Sequence, residues 1–163
     1  MVKWIMATFA IESNGRLEKT ALYYNGEQVG GIKEIFLNLD EDGTFDSIIQ
    51  YEGKDKQSYT KNIFRDYLTN IKLTDPSFTE EESAELQLLE IESDGDIENT
   101  MVFLNDENLE GIVSILIHIK STQEANNLQK FFAGKKYIPD HIEFKAEIVF
   151  RNEDNTLETE DIF

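Results

Sequence analysis

Two Asn-Gly pairs, Asn14-Gly15 and Asn25-Gly26, constrain the fold of this chain more than any other feature. A type I′ turn needs positive φ at both central residues, and Asn-Gly supplies this at least steric cost, so each pair predicts a hairpin. The flanks read as strands: Ala7–Glu12, Leu17–Tyr24 and Glu27–Val29. Gly30-Gly31 then permits a bulge or a bend. Ile32–Leu39 is the next strand, Asp40–Gly43 turns the chain, and Thr44–Tyr51 returns it. The expectation is an antiparallel meander of about four strands.

After the polar loop Glu52–Gln57 the period changes. Tyr59, Ile63, Phe64, Tyr67, Leu68 and Ile71 fall at helical spacing, with Ser58 as N-cap and Pro76 beyond the end. This predicts an amphipathic helix covering the meander. Asp75–Glu82 reads as an internal boundary, with a capping box from Thr79 to Glu82. Glu85–Glu92 and Ile97–Leu104 pair around Ser93-Asp94-Gly95. Gly111–Lys120 has no polar face and predicts a central strand covered on both sides. A second helix is expected over Thr122–Ala133, with Leu128, Phe131 and Phe132 on its buried side and Gly134 as its stop. Ile142–Arg151 alternates as a last strand.

The expected fold class is therefore α+β: antiparallel β-meander sheets with two amphipathic helices. Residues 1–151 form one domain, with halves 1–74 and 84–151, and residues 152–163 form a flexible acidic tail. The run from Ser47-Ile48-Ile49 to Asn62–Tyr67 parallels that from Ser114-Ile115-Leu116 to Asn127–Phe132, which suggests a duplicated sheet–helix unit or a chance likeness of two helices. On the first strand, Ile5, Ala7, Phe9 and Ile11 share an apolar face, and Trp4 on the other face is read as core in preference to a stacking platform.

The chain carries 33 acidic and 15 basic residues, a formal charge of −18, and no cysteine. Disulfides and thiolate zinc sites are thereby excluded. No apolar run is long enough to span a membrane, and the N-terminal residues lack a signal-peptide layout, so a cytoplasmic protein without membrane contact is expected. The charge favours solubility, or attraction to a basic partner.

Catalytic signatures are missing: no phosphate-binding loop, dinucleotide fingerprint or nucleophile elbow occurs. Asn38, Asp40, Asp42, Gly43 and Asp46 partly match a calcium loop, but Ile49 stands where the closing glutamate belongs, so an acidic hairpin turn is the reading. His118 reads as a hydrogen-bonded core residue, and Asp140-His141 shows no triad or metal spacing. A non-enzymatic protein is expected, without metal or organic cofactor.

The few basic residues fall near aromatic ones. Lys54, Lys56, Tyr59, Lys61, Arg65, Tyr67 and Lys72 surround the first predicted helix, and Lys130, Lys135, Lys136 and Tyr137 surround the second. Cations that track phosphates, interleaved with rings that stack on bases, suit single-stranded nucleic acid, and a solvated helix face is the bland alternative.

The last residues, Glu158-Thr159-Glu160-Asp161-Ile162-Phe163, resemble the acidic tips of bacterial and phage single-stranded-DNA-binding proteins, although the proline often found before the final Phe is missing. The resemblance implies that Glu160, Asp161, Ile162 and Phe163 dock on a partner, Phe entering a pocket while the acids steer. The order of elements is also similar to the Whirly-type single-strand-binding fold, apart from a strand after the second helix. The expected function is a phage-like, non-enzymatic single-stranded-nucleic-acid-binding protein. The alternatives are an acidic module that binds a basic protein, a nucleic-acid mimic that inhibits a DNA- or RNA-handling protein, and a structural or assembly protein. An uncovered sheet edge would invite a homodimer.

Overall fold

A computed structural model describes residues 6–120 and 143–163. The strands are β1 (Ala7–Ser13), β2 (Thr20–Tyr24), β3 (Glu27–Gly30), β4 (Ile32–Asp40), β5 (Phe45–Glu52), β6 (Ser58–Asn62), β7 (Lys72–Leu73), β8 (Gln87–Ser93), β9 (Met101–Leu104), β10 (Glu107–Asn108), β11 (Ile112–Lys120), β12 (Glu143–Arg151) and β13 (Leu157–Asp161). The one α-helix among the described residues, α1 (Glu80–Ser83), is a single turn closed by the expected Thr79/Glu82 capping box. One sheet runs β10-β9-β8-β1-β2-β3-β7 and the other β13-β12-β11-β4-β5-β6. Neighbouring strands are antiparallel throughout.

Burial alternates along β4, β8 and β11, while β1 is buried at every position but Thr8. Phe9 and Ile11 on β1, Leu89 and Ile91 on β8, Ile35, Leu37 and Leu39 on β4, and Ile115, Ile117 and Ile119 on β11 all enter one core shared by the two sheets. Of the two hairpin signals one is realised as expected. The Asn14-Gly15 pair is no type I′ turn, since only Gly15 takes positive φ (93°) and a 3₁₀ turn at Leu17–Lys19 precedes β2. Asn25 and Gly26 take φ of 51° and 85°, as a type I′ turn requires. Gly31 and Gly111, at φ of 74° and 73°, carry the chain from the first sheet into the second. The expected meander is thus split between two layers.

The expected α+β class is overturned. Tyr59–Ile71 is not a helix: β6 pairs with β5 from Ile48↔Asn62 to Glu52↔Ser58, after a turn in which Lys56 adopts φ 64°. Asn62 ends the strand, its Oδ1 accepting from Ser47 Oγ and from the backbone N–H of Phe64 and Arg65. Ile63, Phe64 and Leu68 are buried from this turn, whereas Tyr67, on the predicted apolar stripe, is 84% exposed. Apolar spacing of three and four was satisfied by a hairpin and a turn, and period alone does not separate the two. The second predicted helix, Trp4 and His141 lie outside the described residues.

The expected sheet–helix duplication is not found, since Asn62–Tyr67 is no helix, but a different repeat, built of strands, is present. Each element from β1 to β4 recurs 80 positions later as β8 to β11, with matching short 3₁₀ turns at Leu17–Lys19 and Ile97–Asn99. Side-chain detail recurs too. Gly15 N–H donates to Ser13 Oγ, Ser13 and Thr20 hydroxyls share a bond of 2.8 Å, and Thr20 Oγ1 donates to Arg16 O. Gly95, Ser93, Thr100 and Asp96 repeat the arrangement, with 2.7 Å between the hydroxyls. Both serines are fully buried and satisfied. β5 and β6 correspond to β12 and β13, with Phe45 edge-on to Phe64 as Phe144 is to Phe163. Counterparts face each other at Ala10↔Glu90 in the first sheet and at Leu37↔Ile117 in the second. A pseudo-two-fold axis therefore passes through both pairs, and each repeat supplies strands to both sheets.

Candidate interaction surface

The expected basic strip is dispersed. Lys54 and Lys56 are exposed on the β5–β6 turn, and Lys61 on β6 lies 6.0 Å from the Tyr59 ring. Tyr59 stacks on Tyr51 at 5.4 Å, and its hydroxyl donates to Asp55. Arg65 donates to Gly95 O at 2.6 Å and pairs with Asp96, tying the first repeat to the turn of the second. Lys72 pairs with Glu52 at 3.1 Å. The strip therefore keeps Lys54, Lys56, Lys61 and the exposed Tyr67 near one another in sequence, while Arg65 and Lys72 hold acids of this chain. Lys130, Lys135, Lys136 and Tyr137 lie outside the described residues.

The expected tail is built into the second sheet. Residues 157–161 are β13, paired with β12 from Glu147↔Asp161 to Arg151↔Leu157. Glu160 and Asp161 are exposed on that edge, but Ile162 is 3% exposed and its carbonyl accepts from Gln87 Nε2 at 2.7 Å. Phe163 packs edge-on against Phe144 and lies beside Gly15. It occupies the seat that Phe64 takes in the first repeat.

The acidic Asp40–Gly43 turn is a hairpin turn whose Asp40 Oδ1 accepts from Asp42 and Thr44 N–H. These bonds, with that of the Thr44 hydroxyl first among them, hold the Asp40 carboxyl below its ordinary range. His118 is half-buried on the outer side of β11, with Nε2 2.6 Å from Glu34 Oε2 and its ring against the Phe36 edge.

What the fold assembles, and the linear sequence hides, is the outer face of the first sheet. Thr8, Ala10 and Glu12 of β1, Ala21 and Tyr23 of β2, Leu88, Glu90 and Glu92 of β8, and Met101 and Phe103 of β9 alternate with the core residues and are brought side by side by strand register. None of these positions is Lys or Arg. Glu12 is 9% exposed, and the Tyr23 hydroxyl donates to its Oε1 at 2.8 Å. Burial, reinforced by Glu12, pushes the Tyr23 phenol up to about 12. Burial and then the nearby Asp106 raise the Glu90 carboxyl. At the pseudo-axis the small Ala10 stands where the second repeat has Glu90. A depression of about 220 Å³ opens there, walled by Glu12, Tyr23, Leu88 and Glu90. The signal available in the sequence was the even-numbered set of β1 and β8, legible only once these strands are known to be neighbours.

Comparison with protein-family models, with curated proteins and with solved structures finds no match. Among the described residues no cluster of His, Asp and Glu has the makings of a metal site, and no helix is long and apolar enough to cross a membrane.

Proposed function

We infer that this chain is a non-enzymatic interaction protein that binds a cationic segment of another protein on the outer face of its first sheet. The observation that carries the reading is the composition of the centre of that face: Glu12, Glu90 and Glu92 on a floor of Tyr23, Leu88, Met101 and Phe103, with no cation on β1, β2, β8 or β9, while Lys72 at the β7 edge is paired with Glu52. Lysine or arginine stems would cover the apolar floor while their heads meet the carboxylates. An aromatic wall at Tyr23 adds cation–π attraction. The −18 charge would speed encounter with such a partner and repel nucleic acid.

The experiment is fluorescence anisotropy with a labelled lysine-rich peptide, an oligo-dT and a duplex, at low and moderate salt. The expected result is salt-sensitive binding of the peptide, weakened about fivefold or more by Glu90→Gln with Glu92→Gln. A second reading, binding of single-stranded nucleic acid, is favoured by Lys54, Lys56 and Lys61 with the 84%-exposed Tyr67. It requires oligo-dT to bind in preference to duplex and Lys54→Ala with Lys61→Ala to abolish that binding. Oligo-dT binding without peptide binding would replace the first reading with the second.

A further inference from the structure

The internal repeat permits a comparison within one chain. Each repeat leaves an opening between the sheets, next to the glycine that carries the backbone across. In the first repeat the opening is about 250 Å³, lined by Leu17, Leu22, Val29 and Ile32 with Ile119 opposite. In the second, the counterparts Ile97, Val102, Leu109 and Ile112 with Leu39 opposite line one of about 480 Å³. The linings differ at several positions: Val102 stands where the first repeat has Leu22 and Val113 where it has Lys33, whereas Met101 and Leu109 replace Ala21 and Val29.

Charge inverts along with size. Lys33 lines the smaller opening, whereas Asp40, Glu41 and Glu98 stand around the larger one and no Lys or Arg lines it. Glu41 is taken by Arg151. Asp40 keeps its Oδ1 for the turn N–H groups. Glu98 is exposed and forms no ion pair among the described residues. The larger opening thus joins an apolar interior to an anionic mouth, and its volume falls within the range of roughly 300–1,000 Å³ usual for small-molecule sites.

We propose that the opening of the second repeat binds a small aliphatic cation, its hydrocarbon body between the sheets and its ammonium head at Asp40 and Glu98. The site lies between the layers, away from the outer face of the first sheet, and stands independently of the reading of that face. The smaller, lysine-bearing opening of the first repeat is its built-in control.

The test is a methyl NMR titration of the full chain with n-octylammonium, n-octanoate and n-octanol as probes. Expected are saturable shifts at Val102, Leu109, Ile112 and Ile115 with octylammonium, at an affinity about fivefold above that for octanoate, as exposed charge pairs allow. Val113→Lys, which copies the first repeat, should remove both the binding and the preference. Glu98→Gln should reduce the preference and leaves the interior untouched, so it decides the matter if the lysine variant unfolds. The proposal is overturned by an absence of saturable shifts, by equal affinity for octylammonium and octanoate, or by a preference that survives Glu98→Gln unchanged.

Discussion

Ser13 and Ser93 are where the duplication is most exacting. Each is fully buried, accepts a glycine N–H and shares a bond with a threonine hydroxyl. Removing either hydroxyl leaves a glycine N–H, part-buried at Gly15 and buried at Gly95, without its acceptor, at a cost of about 1–3 kcal/mol. Ser13→Ala and Ser93→Ala should therefore destabilise by similar amounts in urea unfolding, and a large loss at one site only would argue against equivalent repeats. The phenols of half-buried Tyr23 and buried Tyr51 give a pH dependence of known sign. Tyr23 and Tyr51 are both raised, chiefly by burial, from an ordinary 10 to about 12. A folded-state pKa above the unfolded one means that the folded state holds the proton more tightly. Their contribution is complete below pH 10 and is lost as pH rises towards 12. Stability measured across that window should fall more steeply for the wild type than for Tyr23→Phe.

At the scale of elements, Gly31 and Gly111 make unequal versions of one crossing. A Cβ on Gly31 would lie 2.6 Å from Glu52 O, against 3.4 Å from Arg151 O for Gly111. Left-handed φ costs a non-glycine residue about 1–2 kcal/mol at either position, and the closer approach adds to it at Gly31 alone. Gly31→Ala should lower the unfolding midpoint more than Gly111→Ala. The C-terminal strand offers a sharper contrast. Ile162→Ala should cost about 2–5 kcal/mol, the usual range for a buried isoleucine, and deletion of 152–163 should be more damaging still. A detachable tail would leave the melting curve unmoved.

The elements also show what the sequence made legible. Asn25-Gly26, Gly31, the Asp40–Gly43 turn and the Thr79 capping box were readable because each depends on local backbone chemistry, and the apolar run Gly111–Lys120 marked a central strand, although its burial alternates where cover on both sides was expected. The false helix over Tyr59–Ile71 arose because Ile63, Phe64 and Leu68 are buried by a turn after a short strand, and their spacing mimics a helical face. The clear markers of the repeat are Ser13-Asn14-Gly15 against Ser93-Asp94-Gly95 and Gly31 against Gly111, and the likeness of Asn62–Tyr67 to Asn127–Phe132 is not one of them. The longer connection between β11 and β12 hides the correspondence of the later strands. The Phe-ended terminus was conspicuous for a different reason: Phe163 repeats Phe64 in its packing. The outer face of the first sheet depends on pairing of β1 with β8, a contact remote in sequence that no local signal announces.

For the whole molecule, duplication produces two sheets that are each continuous across a pseudo-two-fold axis, and function is read from the places where the two repeats differ. Ala10 and its counterpart Glu90 both line the depression on the outer face, and Val113 lines the anionic mouth between the layers where Lys33 lines its counterpart. A cation docked beside Glu90 would draw its raised carboxyl down, so peptide affinity should fall as pH drops through the carboxylate range. The most direct measurement is an amide NMR titration of the full chain with an unlabelled lysine-rich peptide. Binding on the outer face of the first sheet should move the resonances of Thr8–Glu12 and Leu88–Glu92 and leave those of Lys54–Lys61 in place. Saturable shifts confined to Lys54–Lys61, or none anywhere at low salt, would contradict it.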